Sequence, residues 1–588
     1  MGFNWPIGHD NSVAVILDGK LVFASEEERY TRHKHARGEA PFNAFKNAFY
    51  YLKKEFDILP TDVRFFATNH DPYAYAFGMY INTLRYTLKS AKNNNVNLSM
   101  LDTAKILFSG QWIKTARIFL NHIYKELGYS MAKESKIIPV NHHLAHASSA
   151  YYFSGYKNRT AVITIDGIGE NNATCLWDVK DGDFERVLNM ELKEGSVGLL
   201  YESMSKLVGY NNLEGPGKLM GLSPYKIRNN KVLNHYERYI KILDSGDIPY
   251  TFNFKPIRAC RNDWDVCIKA HDQLALKLSN KVKWDKNGRV NIQAANVSYL
   301  IQHITERILL SIARWAKENV SSNNVAMAGG VALNAKANME LYYSKLFNDV
   351  FVVPAANDAG GPIGAAAYVY EHVLGNTMKN GELEDVYLGQ VYNDSRINKV
   401  VRDSNFKFEY IGKDVGTVAE LIAKGKVVTW YQGRSEVGPR ALGNRSILAN
   451  PAKKEMWAKL NKIKGREWWR PLAPSLLCNE KNKYFIHSKD HRFMTIMAKL
   501  LDNAKERVPA ICHVDNTARP QMVHKNCNTT YYNMIDALKH ITGEGIVINT
   551  SFNLAGEPLV ETPEDAMRSF SSGGFDAMYM QGWLITRS

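Results

Sequence analysis

Cysteine, acid and long apolar runs are all in short supply in this chain. Its six cysteines (Cys175, Cys260, Cys267, Cys478, Cys512 and Cys527) are scattered and form no CxxC pair. That argues against a disulfide framework or a thiolate zinc site, and it fits a reducing cytoplasm. The opening "MGFNWPIGHD" lacks the basic-then-apolar pattern of a secretory signal. No uninterrupted apolar run is long enough to span a bilayer, so no membrane partner is expected. Low-complexity tracts are absent as well.

Base is in surplus. Lys and Arg total 74 against 59 Asp and Glu, a formal net charge of +15. Two explanations stay open: acidic partners such as nucleotides, phosphorylated substrates or nucleic acid, or a generally lysine-rich proteome. A length of 588 residues predicts more than one domain. The polar stretch "VLGNTMKNGELEDVYLGQVYNDS" (Val373 to Ser395) reads as a linker, with the boundary near Asn380. The expected domains are 1–380 and 395–588.

Local patterns give an α/β alternation. "SVAVILDGKLVFASEEE" predicts two strands joined at Asp18-Gly19. "RTAVITIDGIGENNATCLWDV" repeats the pattern, with a corner expected at Asp166-Gly167. A repeated strand-turn-strand suggests a duplicated nucleotide-binding architecture rather than one dinucleotide-binding unit. The segment Tyr73 to Lys136 reads as mainly helical, and a long helix is expected over Asn296 to Asn319. Near the end, Thr562-Pro563 followed by Glu564 and Asp565 predicts a helix start.

Several constellations carry chemistry. "VNHHLAHASSAYY" sets His142 and His146 four residues apart, one turn along a helix face. The pair can share a cation, or it can simply be a hydrogen-bonded helix start. Asp166 and Asp358, each at a strand-to-loop transition, could complete a site for a divalent iron-like or manganese-like ion. Spacing alone pairs neither of them with the histidines. "MAGGVALN" and "NDAGGPIGAAA" are Gly-rich turns opening helices; they can cradle phosphate or serve tight packing. The C-terminal half holds a denser signal. "YQGRSEVGPRALGNRSILANP" packs three arginines (Arg434, Arg440 and Arg445) and three glycines around one glutamate. "IKGREWWRPLAPS" adds Lys464, Arg466 and Arg470, and "NTARPQ" adds Arg519. Guanidinium forks match phosphate, so a small phosphorylated anion is expected; a solvated basic face is the alternative.

In order along the chain, "GHDNSVAVILDGKLVFASEEERYTRHKH", "VNHHLAHASSAYY", "EGPGKLMGLSPY", "AGGVALN", "GRSEVGPRALGNRSILANP", "KGREWWRPLAPS" and "NTSFNLAGEPLVETPEDA" resemble the O-carbamoyltransferases of nodulation, cephamycin and tobramycin type. The resemblance spans nearly the whole chain. It implies an actin/sugar-kinase-like duplicated domain followed by a YrdC-like α/β domain. It also implies ATP with Mg2+, carbamoyl phosphate and a hydroxyl acceptor, with a homodimer possible. Carried over by motif, Arg440, Lys464, Arg470 and Arg519 hold the phosphate, and Asn549 and Ser551 the carbamoyl end. Lys218, Gly329, Gly330, Asn334 and Gly361 line the nucleotide. His142, His146, Asp166 and Asp358 match a metal set holding Fe2+ or Mn2+. His9 with Asp10 stands beside the acceptor, His9 as general base because an imidazole titrates near neutrality. Lys34 contacts the adenylate.

The acceptor is the open part. The segment 73–136 is longer than expected in antibiotic-modifying relatives. It alternates aromatics (Tyr73, Tyr75, Phe77, Tyr80, Tyr86 and Trp112) with cations such as Arg85, Lys89, Lys92, Lys105, Lys114 and Arg117. A hydroxymethylated nucleotide or DNA base would use both, whereas a small sugar or natural product would need neither. Two competing functions stay in view: a tRNA threonylcarbamoyl-adenosine synthase-like enzyme, and a non-catalytic nucleic-acid-binding protein.

Overall fold

The computed structural model describes residues 1–5, 8–71, 87–94, 112–211, 213–226, 235–243, 246–260, 263–283, 291–379 and 381–587. Two compact units result: Met1–Thr31 with His35–Leu383, and Arg32–Lys34 with Glu384–Ser588.

The N-terminal unit holds two five-stranded sheets. The first comprises β1 (Gly2–Phe3), β2 (Ser12–Leu17), β3 (Lys20–Glu26), β4 (Phe65–Thr68) and β5 (Lys136–Pro139), in the order β3-β2-β1-β4-β5. The turn between β2 and β3 falls at Asp18-Gly19, both at positive φ, as a tight hairpin between right-twisted strands requires. The second sheet begins with β6 (Thr160–Gly169), β7 (Asn172–Lys180) and β8 (Asp183–Glu191). A separate ladder of β9 (Ile240–Ile242) and β10 (Tyr250–Phe252) follows, then β11 (Asn324–Ala328) and β12 (Asp349–Val352) return to the sheet. Its order is β12-β11-β6-β7-β8. Both sheets are wired alike: an antiparallel three-strand meander, a fourth strand parallel to the first, and a fifth parallel to the fourth.

The expected corner at Asp166-Gly167 is not a corner. β6 runs on to Gly169 through a register shift after Ile165, and the chain reverses at Glu170, at positive φ. The irregular backbone is satisfied outside the ladder. Gly167 N–H donates to Asp166 Oδ1 at 2.6 Å, and the Ser196 hydroxyl donates to the Gly167 carbonyl at 2.7 Å.

Helices follow their apolar spacing. The helix Phe42–Phe56 buries Phe42, Phe45, Phe49 and Leu52 against the first sheet. The long helix spans Ile292–Asn319, one turn earlier than expected, because the Asn291 side chain caps it by accepting from Ala294 N at 3.1 Å. Asn141 caps His142–Tyr152 in the same way. Gly361–Tyr368 packs on that helix so closely that a Cβ on Gly364 would lie 1.8 Å from the Ala145 carbonyl oxygen.

The C-terminal unit is built on one mixed eight-stranded sheet. Its strands are β13 (Lys407–Tyr410), β14 (Val428–Tyr431), β15 (Arg445–Ala449), β16 (Ala473–Leu477), β19 (Gln521–Val523), β20 (Ile546–Ser551), β21 (Ala577–Met580) and β22 (Trp583–Thr586). A small ladder of β17 (Ala498–Lys499) and β18 (Thr517–Ala518) stands apart. The sheet order is β13-β22-β21-β14-β15-β20-β16-β19. Alternate residues enter two cores: Ile546, Ile548, Met578 and Met580 one face, Val547, Ala577 and Tyr579 the other. Continuous apolar strands are what a sheet buried on both faces requires. The helix Pro563–Ser572 starts with a capping box between Thr562 and Asp565. Among the described residues no helix is long and apolar enough to cross a membrane.

Candidate functional site

The N-terminal unit converges four ligand-type side chains. His142 and His146 come from one helix, Asp166 from the irregular part of β6, and Asp358 from the turn before Gly361–Tyr368. One ligand atom from each lies within 4.8 Å of all the others. The His142 and His146 Nε2 atoms are 3.1 Å apart, and Asp166 Oδ2 lies 3.4 and 3.1 Å from them. Asp358 Oδ1 is 3.7 Å from each Nε2. Burial disfavours the charge on His146, yet the hydrogen bonds it donates to the Asp166 and Asp358 carboxylates lift it to about 9. The imidazoles in return hold Asp166 and Asp358 below the usual carboxylate range. Protons thus do the work that a shared cation can do. Two imidazole nitrogens and two carboxylate oxygens fit a divalent iron- or manganese-like ion, a softer set than Mg2+ selects.

The ligand helix is held firmly. Glu170 accepts from His142 N at 3.1 Å and from the Asn141 amide. His143 points away, bonded to the Thr164 hydroxyl at 2.9 Å and the Asn172 carbonyl at 3.2 Å. His70 stacks on His142 with ring centroids 5.1 Å apart, and burial first, then the neighbouring imidazoles, lower it to about 3.

His9 and Asp10 lie beside this cluster. A Cβ on the preceding Gly8 would stand 3.6 Å from Asp358 Oδ2. His9 Nδ1 is 2.7 Å from Asp10 Oδ2. Here the expectation of a near-neutral imidazole needs correction. Burial opposes the charge, but Asp10, by charge and hydrogen bond, with Asp358 and Glu202 beyond, raises His9 to about 10. Glu202, which no sequence signal singled out, is raised by burial to about 7, with the His9 charge pulling the other way. Its only foreshadowing was an acid on the helix Val197–Leu207, whose other face is apolar.

The residues expected at the nucleotide make the following contacts within the protein. Asn334 caps the helix Ala335–Ser344 and exchanges two hydrogen bonds with Gln302. Gly329 has φ +95° and would carry a Cβ 2.3 Å from the Ile165 carbonyl oxygen. A Cβ on Gly330 would meet Asp166 Oδ1 at 2.9 Å, and one on Gly361 the Asn69 amide at 2.2 Å. Close packing accounts for all three glycines. Lys218 lies 3.8 Å from Glu214 and over the Tyr210 ring at 4.7 Å.

The C-terminal unit gathers cations instead. Burial, then Arg470, lowers Arg440 to about 10, and the same two causes lower Arg466 to about 9. Arg519 is lowered by burial and by Arg440, Arg470 and Arg466, and its Nε has no protein partner. Lys464 is lowered by burial and by Arg466, Arg470 and Lys34. A guanidinium does not give up its proton at such pH, so the unfavourable charge stays in the folded protein. Arg470 lies 3.7 Å from the Glu467 carboxylate. The Lys464 ammonium donates to the Ser551 hydroxyl at 3.2 Å and to Asn553 Oδ1 at 2.9 Å. Asn549 donates to the Ala441 carbonyl, Ser475 and Gln521, which leaves its own Oδ1 buried without a protein partner. Arg32 belongs to this unit, donating to the Leu559 and Pro558 carbonyls at 2.6 and 2.8 Å, and it brings Lys34 with it.

Two arginines of the glycine-rich stretch serve the fold. Arg434 donates to the Gly389 and Leu388 carbonyls. Arg445 is fully buried, donates to the carbonyls of Gln432, Gly433 and Asn444, and stacks 3.8 Å over Tyr431. Only Arg440 of the three joins the cationic cluster. Arg466 also joins it.

In the basic segment, Lys89, Lys92 and Lys114 are exposed, and Arg117 donates to the Ser135 carbonyl. Arg85, Lys105, Tyr73, Tyr75, Phe77, Tyr80, Tyr86 and the Trp112 side chain lie outside the described residues.

Residues 2–367 match the family model for the carbamoyltransferase N-terminus, and residues 419–587 that for the carbamoyltransferase C-terminus. The nodulation protein NolNO of Sinorhizobium fredii is 31% identical, over 98% of this chain and 79% of its own. The 3'-hydroxymethylcephem-O-carbamoyltransferase of Streptomyces clavuligerus is 30% identical over 45% of this chain and 49% of its own. Among solved structures, HypF of T. kodakarensis gives a TM-score of 0.22 at 16% identity, over 49% of this chain and 46% of that one.

Proposed function

The chain belongs to the carbamoyltransferase family and is a transferase, and on that premise we propose that it is an ATP-dependent O-carbamoyltransferase working through carbamoyladenylate. The observation that carries this reading is the cluster of Arg440, Lys464, Arg466, Arg470 and Arg519, with Lys464 buried, the arginines half-buried and their charges penalising one another. Such a cluster needs a compact anion of high charge, and the phosphate of carbamoyl phosphate supplies one. Water releases carbamate and phosphate from carbamoyl phosphate. A carbamate oxygen then attacks the α-phosphorus of ATP, expelling pyrophosphate. The guanidinium groups bind the phosphate oxygens and stabilise the charge that develops. Ser551, fixed by Lys464 and Asn553, and the free Oδ1 of Asn549 orient the carbamoyl end.

The N-terminal unit is the transfer site in this reading. The repeated sheet wiring supports an actin/sugar-kinase-like duplication. A cation held by His142, His146, Asp166 and Asp358 would supply Lewis-acid polarisation and compensate the two carboxylates. In the form that carries its proton on Nδ1 and none on Nε2, His9, oriented through Nδ1 by Asp10, takes the acceptor hydroxyl proton at Nε2. The hydroxyl oxygen bonds to the carbamoyl carbon and AMP leaves. Mg2+ enters with ATP. Lys34, grouped with the cationic cluster, binds the adenylate.

The acceptor is a hydroxyl on a hydroxymethylated nucleotide or DNA base, or on a small sugar or natural product. The exposed Lys89, Lys92 and Lys114 support the first class. The test is product analysis after incubation with carbamoyl phosphate, ATP and candidate acceptors, with pyrophosphate followed in parallel. Carbamoyl phosphate-dependent pyrophosphate release and a carbamoylated product support the reading. A threonylcarbamoyl product would instead make the chain a tRNA threonylcarbamoyl-adenosine synthase-like enzyme, and nucleic-acid binding with no ATP turnover would make it a binding protein.

A further inference from the structure

One carboxylate in the N-terminal unit serves two imidazoles. Asp10 Oδ2 lies 2.7 Å from His9 Nδ1, and Asp10 Oδ1 lies 2.7 Å from His35 Nδ1. An ionised carboxylate only accepts, so both rings must present Nδ1–H to it. The backbone doubles the link: Asp10 N–H donates to the His35 carbonyl at 2.6 Å. His35 N–H in turn donates to Glu28 Oε2 at 2.6 Å. Asp10 and His35 sit at φ 58° and 65°, a left-handed conformation that non-glycine residues hold only when their surroundings impose it. These contacts align His9, Asp10 and His35 in one hydrogen-bonded row.

We propose that His35 is a positioning residue for the N-terminal site: by sharing the Asp10 carboxylate with His9, it locks the His9 ring so that Nε2 is the edge left for substrate. The proposal rests on the reading of that unit as the transfer site. Without the His35 donor, Asp10 Oδ1 loses its partner and the carboxylate is free to turn. The His9 ring can then rotate and exchange its two nitrogens. Asp10, Glu28 and His35 also lie close enough to form a cation group. Their geometry opposes that use, because both imidazole Nδ1 atoms and one Glu28 oxygen already stand at hydrogen-bonding distance from partners.

The test reads the His9 ring directly in the full chain, without needing the acceptor. Nitrogen-15 imidazole spectra should show two low-field N–H protons protected from solvent exchange, one lost in His9→Ala and the other in His35→Ala. The expected result is that His35→Ala also removes the protection of the His9 proton, and that His35→Asn, which returns an amide N–H near the Nδ1 position, restores it. Metal content and carbamoyl phosphate-dependent pyrophosphate release should stay unchanged in both variants. With glucose and 5-hydroxymethylcytidine as acceptor probes, His35→Ala should slow transfer by about tenfold or more at an unchanged acceptor KM. A His9 proton as protected in His35→Ala as in the parent chain overturns the proposal. So does loss of metal or of pyrophosphate release in His35→Ala, which would mark a structural role. If His9 behaves as expected while His9→Ala transfers normally, the row stands as structure but the assignment of transfer to this site fails, and His35 loses its role with it.

Discussion

The two units gather different sets of charged side chains. In the N-terminal unit two carboxylates and two imidazoles converge within 4.8 Å. In the C-terminal unit the charges that bear on Arg519 are all cationic: Arg440, Arg470 and Arg466. Folding alone favours neither arrangement, because a buried charge without its partner costs free energy. The proposed division of one reaction between an anion-activating step and a hydroxyl-transfer step would place a cation in the first unit and an anion in the second.

The comparison breaks most sharply at the anion site. Arg470→Ala and Arg519→Ala should each abolish carbamoyl phosphate-dependent pyrophosphate release while the protein stays folded, a loss of about 2–4 kcal/mol of charge-assisted binding. Steady-state pyrophosphate release at saturating ATP checks it, and parental rates in both variants would move the anion site elsewhere. Arg445→Ala should differ, lowering the melting temperature first, because this side chain holds backbone carbonyls.

The second expected effect concerns metal. His142→Ala and Asp358→Ala should lower bound iron or manganese, measured by elemental analysis, and abolish carbamoyl transfer. Chelation of the parent chain should do the same, and re-addition of the ion should restore transfer.

A third effect is smaller and has an unusual sign. Burial and the neighbouring Arg470 penalise the Arg440 charge in the folded state, a penalty that the unfolded chain does not carry. Replacing Arg440 by Met should raise the stability of the ligand-free protein by about 1 kcal/mol while weakening carbamoyl phosphate binding. Thermal unfolding with and without the ligand checks both halves. Carbamoyl phosphate should raise the melting temperature of the parent chain more than that of the variant.

The smallest effect concerns the acceptor. Neutralising Lys89, Lys92 and Lys114 together should weaken use of a polyanionic acceptor and flatten the salt dependence of its binding by about one logarithmic unit per lost phosphate contact. Pyrophosphate release should not change. Salt-insensitive transfer to a neutral sugar would return the acceptor to the small-molecule class.

Much of the fold was written in short-range signals. Asp18-Gly19 predicts its hairpin, and Thr562-Pro563 with Asp565 predicts its helix start, because both depend only on neighbouring residues. Asp166-Gly167 misled for the same reason. The dipeptide is turn-like, but the hydroxyl of Ser196, thirty positions away, satisfies its carbonyls and lets the strand continue. The site shows the same limit. His142 and His146 are legible as a pair from their spacing, whereas their meeting with Asp166 and Asp358 depends on sheet topology. Arginine type alone could not separate Arg440 from Arg434 and Arg445, which are consumed by backbone carbonyls. Nothing local marked His35, since its importance lies in a carboxylate twenty-five residues earlier.

The separation of the two sites is tested most directly by exchange of labelled pyrophosphate into ATP in the presence of carbamoyl phosphate, measured in the parent chain, Arg470→Ala and Asp358→Ala without any acceptor. The account predicts exchange in the parent, near-parental exchange in Asp358→Ala, and none in Arg470→Ala. Exchange lost as completely in Asp358→Ala as in Arg470→Ala would contradict it.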